Sequence, residues 1–246
     1  IFYLGASSHS SLKISFFYRL SLTKISFRND ILYLNQILIF SINILLSGDV
    51  EANPGPGPPS MNIYNKLSVC HWNAGSLPVQ NFVKIDLIKA FNSVHNFDII
   101  FITETFLNSS HLSDNSELLI ENYTLIRSDH PSDVRRGGVC VYYKSCLPVR
   151  TLQVVNLKEC LALEVQNENK LSIFCALYRS PSQSSDDFEK FISDLELDLN
   201  DMYNLNPFVI SIFGDFNARS SNWWDGDITS NEGIQIDSLA SLYGFH

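Results

Sequence analysis

A chain of 246 residues with 45% hydrophobic and 17% charged residues can bury a sizeable core and suits one large domain with an appendage, which excludes disorder throughout. The net charge is −9; the first 55 residues carry +1, so the remainder carries −10. An acidic body has the wrong sign for gripping phosphates unaided, and any nucleic-acid role therefore requires a cation or a local basic rim. Cys70, Cys140, Cys146, Cys160 and Cys175 form no C-x-x-C pair, and three of them lie in apolar strand-like runs where a free thiol acts as a small hydrophobe. That usage favours a reducing compartment, nuclear or cytoplasmic, and argues against a zinc site. The chain begins with Ile rather than Met, as a translated fragment would.

Ile31 to Ser47 is mostly Leu and Ile, broken by Asn35, Gln36, Ser41 and Asn43. Its 17 residues sit at the short edge for a membrane span, and the apolar segment of a targeting peptide is a competing reading. No stable membrane partner is expected. The residues that follow, Gly48-Asp49-Val50-Glu51-Ala52-Asn53-Pro54-Gly55-Pro56, resemble the signature of 2A-like ribosome-skipping peptides, D-x-E-x-N-P-G-P behind a leucine-rich helix. The resemblance implies that the Gly55–Pro56 bond does not form, because proline's secondary amine is a constrained, poor nucleophile. Gly57-Pro58-Pro59-Ser60 is a linker. Residues 1–60 are accordingly read as a leader with skipping peptide and linker, and residues 61–246 as one domain.

Lys66 to Trp72 is strand-like and closes in the turn Asn73-Ala74-Gly75-Ser76-Leu77. His71 is read as a core or rim histidine rather than a ligand. Phe82, Ile85, Ile88 and Phe91 repeat at near-helical spacing, which predicts an amphipathic crossover helix between Pro78 and Asn96. Phe97 to Thr103 is a buried strand with Glu104 at its carboxyl end, where a carboxylate costs stability unless something pairs with it. Ser128-Asp129-His130 has the composition of an Asp-His dyad but reads as a solvated loop, with Arg127, Arg135, Arg136 and Lys144 clustered around it. Those cations are either a basic rim or solubilising charge.

Gly138 to Tyr143 is a further strand; Thr151 to Val155 and Ala162 to Val165 suggest an antiparallel hairpin; Leu171 to Leu177 is another buried strand, ending at Tyr178. Ser184 or Ser185 caps a helix with an apolar stripe of Phe188, Phe191, Ile192, Leu195, Leu199 and Met202; its acidic remainder, Asp194, Glu196, Asp198 and Asp201, is read as a solvated face. Phe208 to Phe213 is an apolar, β-branched run that predicts a strand buried on both faces. It ends in Gly214, expected to let the backbone turn sharply, so that Asp215 and Asn217 leave on the same side. Trp223 lies in a turn-rich loop, where stacking on a base and apolar cover over the sheet are both open. Gly233 to Tyr243 predicts a short helix. About eight strands alternating with three helices imply an α/β two-layer sandwich.

Gly214-Asp215-Phe216-Asn217 resembles the GDFN signature of the endonuclease/exonuclease/phosphatase superfamily. Ile102-Thr103-Glu104-Thr105-Phe106-Leu107 is similar to the "LTET" segment of its retrotransposon-encoded members, and Tyr178-Arg179-Ser180-Pro181-Ser182 to their "YRPPS" segment, with Ser180 in place of the first Pro. The resemblance implies a two-layer β-sandwich flanked by helices, similar to apurinic/apyrimidinic endonucleases, and the endonuclease domain of a non-LTR (LINE-type) retrotransposon polyprotein. Such a domain nicks DNA to prime the reverse transcriptase that follows it.

By the same resemblance, Glu104 with Asn73 would hold Mg²⁺, with Mn²⁺ as an alternative; Asp215 would orient the attacking water; and Asn217 and Tyr178 would bind phosphoryl oxygens. Arg179, Arg136 and Trp223 would contact DNA. The pattern also implies further strands carrying a second Asp and a closing Asp-His, which do not follow before His246; the chain is accordingly read as truncated at its C-terminus, with its activity in doubt. A phosphoesterase for small molecules or lipids and a non-enzymatic remnant are the alternatives.

Overall fold

The computed structural model describes residues 2–7, 67–78, 82–111, 117–132, 136–154, 156–167, 170–220 and 229–245. The apolar run 31–47, the Gly48–Pro56 segment and Trp223 lie outside the described residues. Among the described residues no helix is long and apolar enough to cross a membrane.

Among the described residues, nine strands form two sheets. In the first, β2 (Val69–Asn73) pairs in parallel with β3 (Ile99–Thr103), which pairs with β5 (Val139–Lys144), which pairs with β4 (Tyr123–Ser128). In the second, the order is β1 (Phe2–Ser7), β9 (Val209–Asp215), β8 (Lys170–Tyr178), β7 (Cys160–Asn167) and β6 (Val149–Leu152). Here β8 and β9 run parallel and the other neighbours antiparallel.

The two-residue period of the strands divides their side chains between two layers. Ile99 and Phe101 of β3, with Val139 and Val141 of β5, face Leu161, Leu163, Val165, Phe174, Ala176 and Phe213 of the other sheet. At the centre of this contact the Phe101 and Phe213 rings stack with centroids 5.3 Å apart. The alternate residues Ile100, Ile102, Cys140 and Tyr142 pack under helix α1 (Val83–His95), through Ile85 and Ile88. On the far side, Ile173, Cys175, Ile210 and Ile212 pack under α2 (Ser185–Asn204) and α3 (Asn231–Leu242). The result is the expected β-sandwich with helices on its outer faces.

Four local expectations change. Phe2–Ser7, assigned to the leader, pairs antiparallel with β9 and forms the edge of the second sheet. Edge strand β4 has every residue half-buried, so it lacks the apolar run that marked the other strands. Gly214 lies inside β9 rather than at a turn, and its glycine answers a close approach: a Cβ there would sit 2.2 Å from the Leu177 carbonyl oxygen of the parallel neighbour. Asp198, assigned to the solvated face of α2, is 3% exposed. It falls in step with the apolar stripe, and its carboxylate accepts hydrogen bonds from the Leu157 N–H at 2.8 Å, the Asn156 amide side chain at 2.7 Å and the Asn156 N–H at 3.3 Å. The helix is fastened by Ser184, whose side chain and that of Asp187 form a reciprocal capping box.

Candidate active site

Two parallel strand pairs, one in each sheet, end at the same rim. β2 ends in Asn73 and β3 is followed by Glu104; β8 ends in Tyr178 and β9 in Asp215, whose registers pair Asn73 with Thr103 and Tyr178 with Asp215. The Asn73 carboxamide joins the two sheets. Its Nδ2 donates to Glu104 Oε1 at 2.8 Å and to Asp215 Oδ2 at 2.8 Å, so carboxylates 111 positions apart in sequence meet on a single nitrogen. Its Oδ1 accepts from the Gly75 N–H at 3.0 Å, which fixes the orientation of the amide. The side chain therefore turns its nitrogen, not its oxygen, to the carboxylates. Asn73, expected as a metal ligand, acts in this structure as the bridge that spaces Glu104 and Asp215.

Backbone strain concentrates here. Glu104 has φ 53° and Asn217 φ 46°, left-handed conformations that side chains adopt at a cost and that cluster at functional sites. Asn217 is held from three directions: its N–H donates to Asp215 Oδ1 at 3.0 Å, its Nδ2 donates to the Arg179 carbonyl at 2.7 Å, and its own carbonyl accepts from the Arg179 guanidinium at 2.6 Å.

Arg179, expected to contact DNA, is placed indoors by the structure. The residue is 3% exposed; its guanidinium lies 5.0 Å over the Phe188 ring and donates to the Phe216 and Asn217 carbonyls. A loop arginine reads as solvent-facing in sequence, but this one supplies the donors that the chain leaving β9 needs. Its hydrogen bonds hold the Phe216–Asn217 backbone that follows Asp215.

Tyr178 lies beside Glu104, Asp215 and Glu159, and burial together with those carboxylates pushes its phenol above the usual tyrosine range, so the hydroxyl keeps its proton and can donate. Glu159 is the acidic residue that sequence reasoning missed. It is buried with φ 44°, and Oε1 accepts the Gly138 N–H at 2.6 Å beneath the Gly137–Gly138 turn. A Cβ at Gly137, where φ is +57°, would fall 1.9 Å from Glu159 Oε1 and 3.2 Å from the Tyr178 ring, so a side chain there would strain the turn and displace the Glu159 carboxylate.

Arg136 is exposed, and its charge bears on both Glu159 and Tyr178, which places it at the rim. Its Nε approaches His130 Nε2 at 3.3 Å, while Asp129 is taken by Arg127 at 2.5 Å. Ser128-Asp129-His130 thus forms no acid–histidine pair. The groove of about 360 Å³ between the first turns of α2 and α3, lined by Ser185, Phe188 and Glu232 among others, contains none of these site residues.

His71 shares the face of β2 that carries Asn73 and points into the inter-sheet core. Its Nε2 pairs with Thr103 Oγ1 at 3.2 Å and its Nδ1 has no partner. Burial lowers its pKa to about 3. The unfolded chain takes this proton below about pH 6.5 and the folded one does not, so the stability contributed by neutral His71 is complete above pH 6.5 and is lost as pH falls towards 3. Urea midpoints measured at pH 7 and pH 4 should show a smaller acid loss for His71→Gln than for the wild type.

Among the described residues no group of three His, Cys, Asp or Glu side chains is close enough to hold a metal. The donor set is instead two convergent carboxylates, hard oxygen donors of the kind a hard cation that keeps part of its hydration shell prefers.

The model of the endonuclease/exonuclease/phosphatase family matches residues 70–243, a span that contains every one of these strand-end residues. The chain belongs to that family. The RNA-directed DNA polymerase from mobile element jockey of Drosophila melanogaster is 26% identical over 177 residues, covering 70% of this chain and 17% of that protein. This member of the family thus spans about a sixth of the length of that curated relative. The endonuclease domain of TRAS1, a telomere-specific non-LTR retrotransposon, shares the fold with a TM-score of 0.55 at 14% identity, over 74% of this chain and 72% of that one. AP endonuclease LMAP from Leishmania major does so with a TM-score of 0.60 at 12% identity, over 72% and 66% of the two chains.

Proposed function

We propose that this family member is a metal-dependent DNA endonuclease, the target-nicking domain of a non-LTR retrotransposon polyprotein, occupying residues 61–246 with Phe2–Ser7 added as edge strand β1, carrying a 2A-like skipping segment ahead of residue 61 and preceding a reverse transcriptase. The observation that carries the reading is the Asn73 amide drawing Glu104 from one sheet and Asp215 from the other onto one nitrogen. Two carboxylates brought within reach of each other in a neutral-pH protein repel unless a cation lies between or beside them. The similarity to mobile-element proteins supports DNA as the substrate.

Glu104 and Asp215 would hold a divalent cation, Mg²⁺ or Mn²⁺, which when bound supplies neutralisation of the negative charge that builds on a scissile phosphate. Asp215, oriented by the Asn217 N–H and the Asn73 amide, accepts a hydrogen bond from the attacking water. Tyr178, kept protonated, donates to a phosphoryl oxygen. Arg179 keeps the Asp215–Asn217 segment in its strained form while this happens. Arg136, at the rim, offers DNA a positive charge that the acidic body otherwise lacks.

Incubating supercoiled plasmid with the chain and Mg²⁺ or Mn²⁺ tests the reading. The expected product is open-circular DNA, absent with EDTA and absent for Glu104→Gln. The acidic net charge suits a second reading, hydrolysis of small or lipid phosphoesters; release of phosphate from those substrates with intact plasmid would establish it and overturn the endonuclease.

A further inference from the structure

Lys84 stands second in α1, at the positive end of the helix dipole, where a cation is unfavourable. The helix start is poor in other ways: Phe82 at the N-cap has φ 61° and provides no side-chain hydrogen bond. Local rules broken together in this way mark positions held for another purpose. The Lys84 ammonium is folded back over the end of β2, donating to the Ala74 carbonyl and, at 2.9 Å, to the Gly75 carbonyl. These are the two residues that follow Asn73, and the Gly75 N–H is the group that orients the Asn73 carboxamide. Glu104 Oε2 and Lys84 Nζ both lie close to Gly75, each 4.0 Å from where a Cβ would stand.

We propose that Lys84 is a positioning residue of the active site: by tying down the Ala74–Gly75 turn it fixes the Asn73 amide, and through it the spacing of Glu104 and Asp215. An ammonium suits this task because it is a compact point donor with three N–H groups, able to serve two adjacent carbonyls at once. The inference rests on the nuclease reading for its effect on rate, but not for its effect on Asn73.

The test uses the full ¹⁵N-labelled chain. The side-chain amide pair of Asn73, assigned by its disappearance in Asn73→Ala, is expected to be well resolved and slow to exchange in the wild type. In Lys84→Met it should collapse onto the free-amide region while the backbone fingerprint of the sheets is retained, and plasmid nicking at saturating metal should fall about ten- to hundred-fold. Lys84→Arg, which keeps charge and donors, should restore much of both. If Lys84→Met does not fold, Lys84→Gln is read by the same criterion. An Asn73 pair unmoved by the loss of the ammonium overturns the inference whatever the nicking rate. A wild type that nicks nothing, but whose Asn73 pair responds to Lys84, sustains the positioning role and removes the endonuclease reading.

Discussion

Replacing Asp215 by Asn is expected to lower plasmid nicking by about 10²- to 10⁴-fold while leaving the fold intact. The substitution is nearly isosteric, and Asn keeps an oxygen to accept the Asn217 N–H, so the strained turn after β9 survives. What disappears is the charge. Without it the attacking water loses its acceptor and a cation loses one of two carboxylates. The same change relieves the repulsion with Glu104 but turns an amide nitrogen onto Asn73 Nδ2, which loses its acceptor there, so the melting temperature in EDTA is expected to change little. Activity down with stability nearly unchanged is the mark of a residue whose charge serves the chemistry rather than the fold. Nicking and differential scanning fluorimetry on one preparation check both; a lowered melting temperature with full nicking would assign Asp215 to structure alone.

The second large effect is on stability. Asp198→Ala removes the acceptor of three donors, at Leu157 and Asn156, from a site that is 3% exposed. Buried donors left without a partner cost more than the hydrogen bonds themselves contributed, so a loss of about 3 kcal/mol is expected. For a domain of this size that corresponds to roughly 8 °C in melting temperature. Asp198→Asn, which retains one oxygen, should lose about half as much. Guanidinium titrations of the three proteins measure the difference, and an unchanged midpoint for Asp198→Ala would mean that water replaces the carboxylate.

The residues that meet at the rim were legible where the sequence breaks abruptly from apolar to polar. Asn73, Glu104, Tyr178 and Asp215 each close or follow a hydrophobic strand, and a strand buried on both faces leaves its tip as the place for reactive groups. What was hidden depends on the third dimension. Glu159 sits in a short irregular segment whose left-handed backbone no pattern announces, and its value comes from a glycine turn 21 positions away. Lys84 looks like ordinary polar spacing in an amphipathic helix until its ammonium is seen folded over the turn of β2. Arg179 and Asp198 share one cause: charged residues are read as solvated by default, and both satisfy backbone groups indoors. β4 was missed because an edge strand half open to water has neither an apolar run nor strict alternation.

The two halves of the acidic rim ride on different sheets, with Glu104 and Asn73 on one and Asp215 and Tyr178 on the other. Their mutual distance is therefore a gauge of how the sandwich slides on itself, and the stacked rings of Phe101 and Phe213 act as its bearing. Because close-packed interiors shift in discrete steps rather than stretch, a core change that displaces that bearing would detune the chemistry from well inside the molecule, while every residue at the rim kept its identity and its surface unchanged.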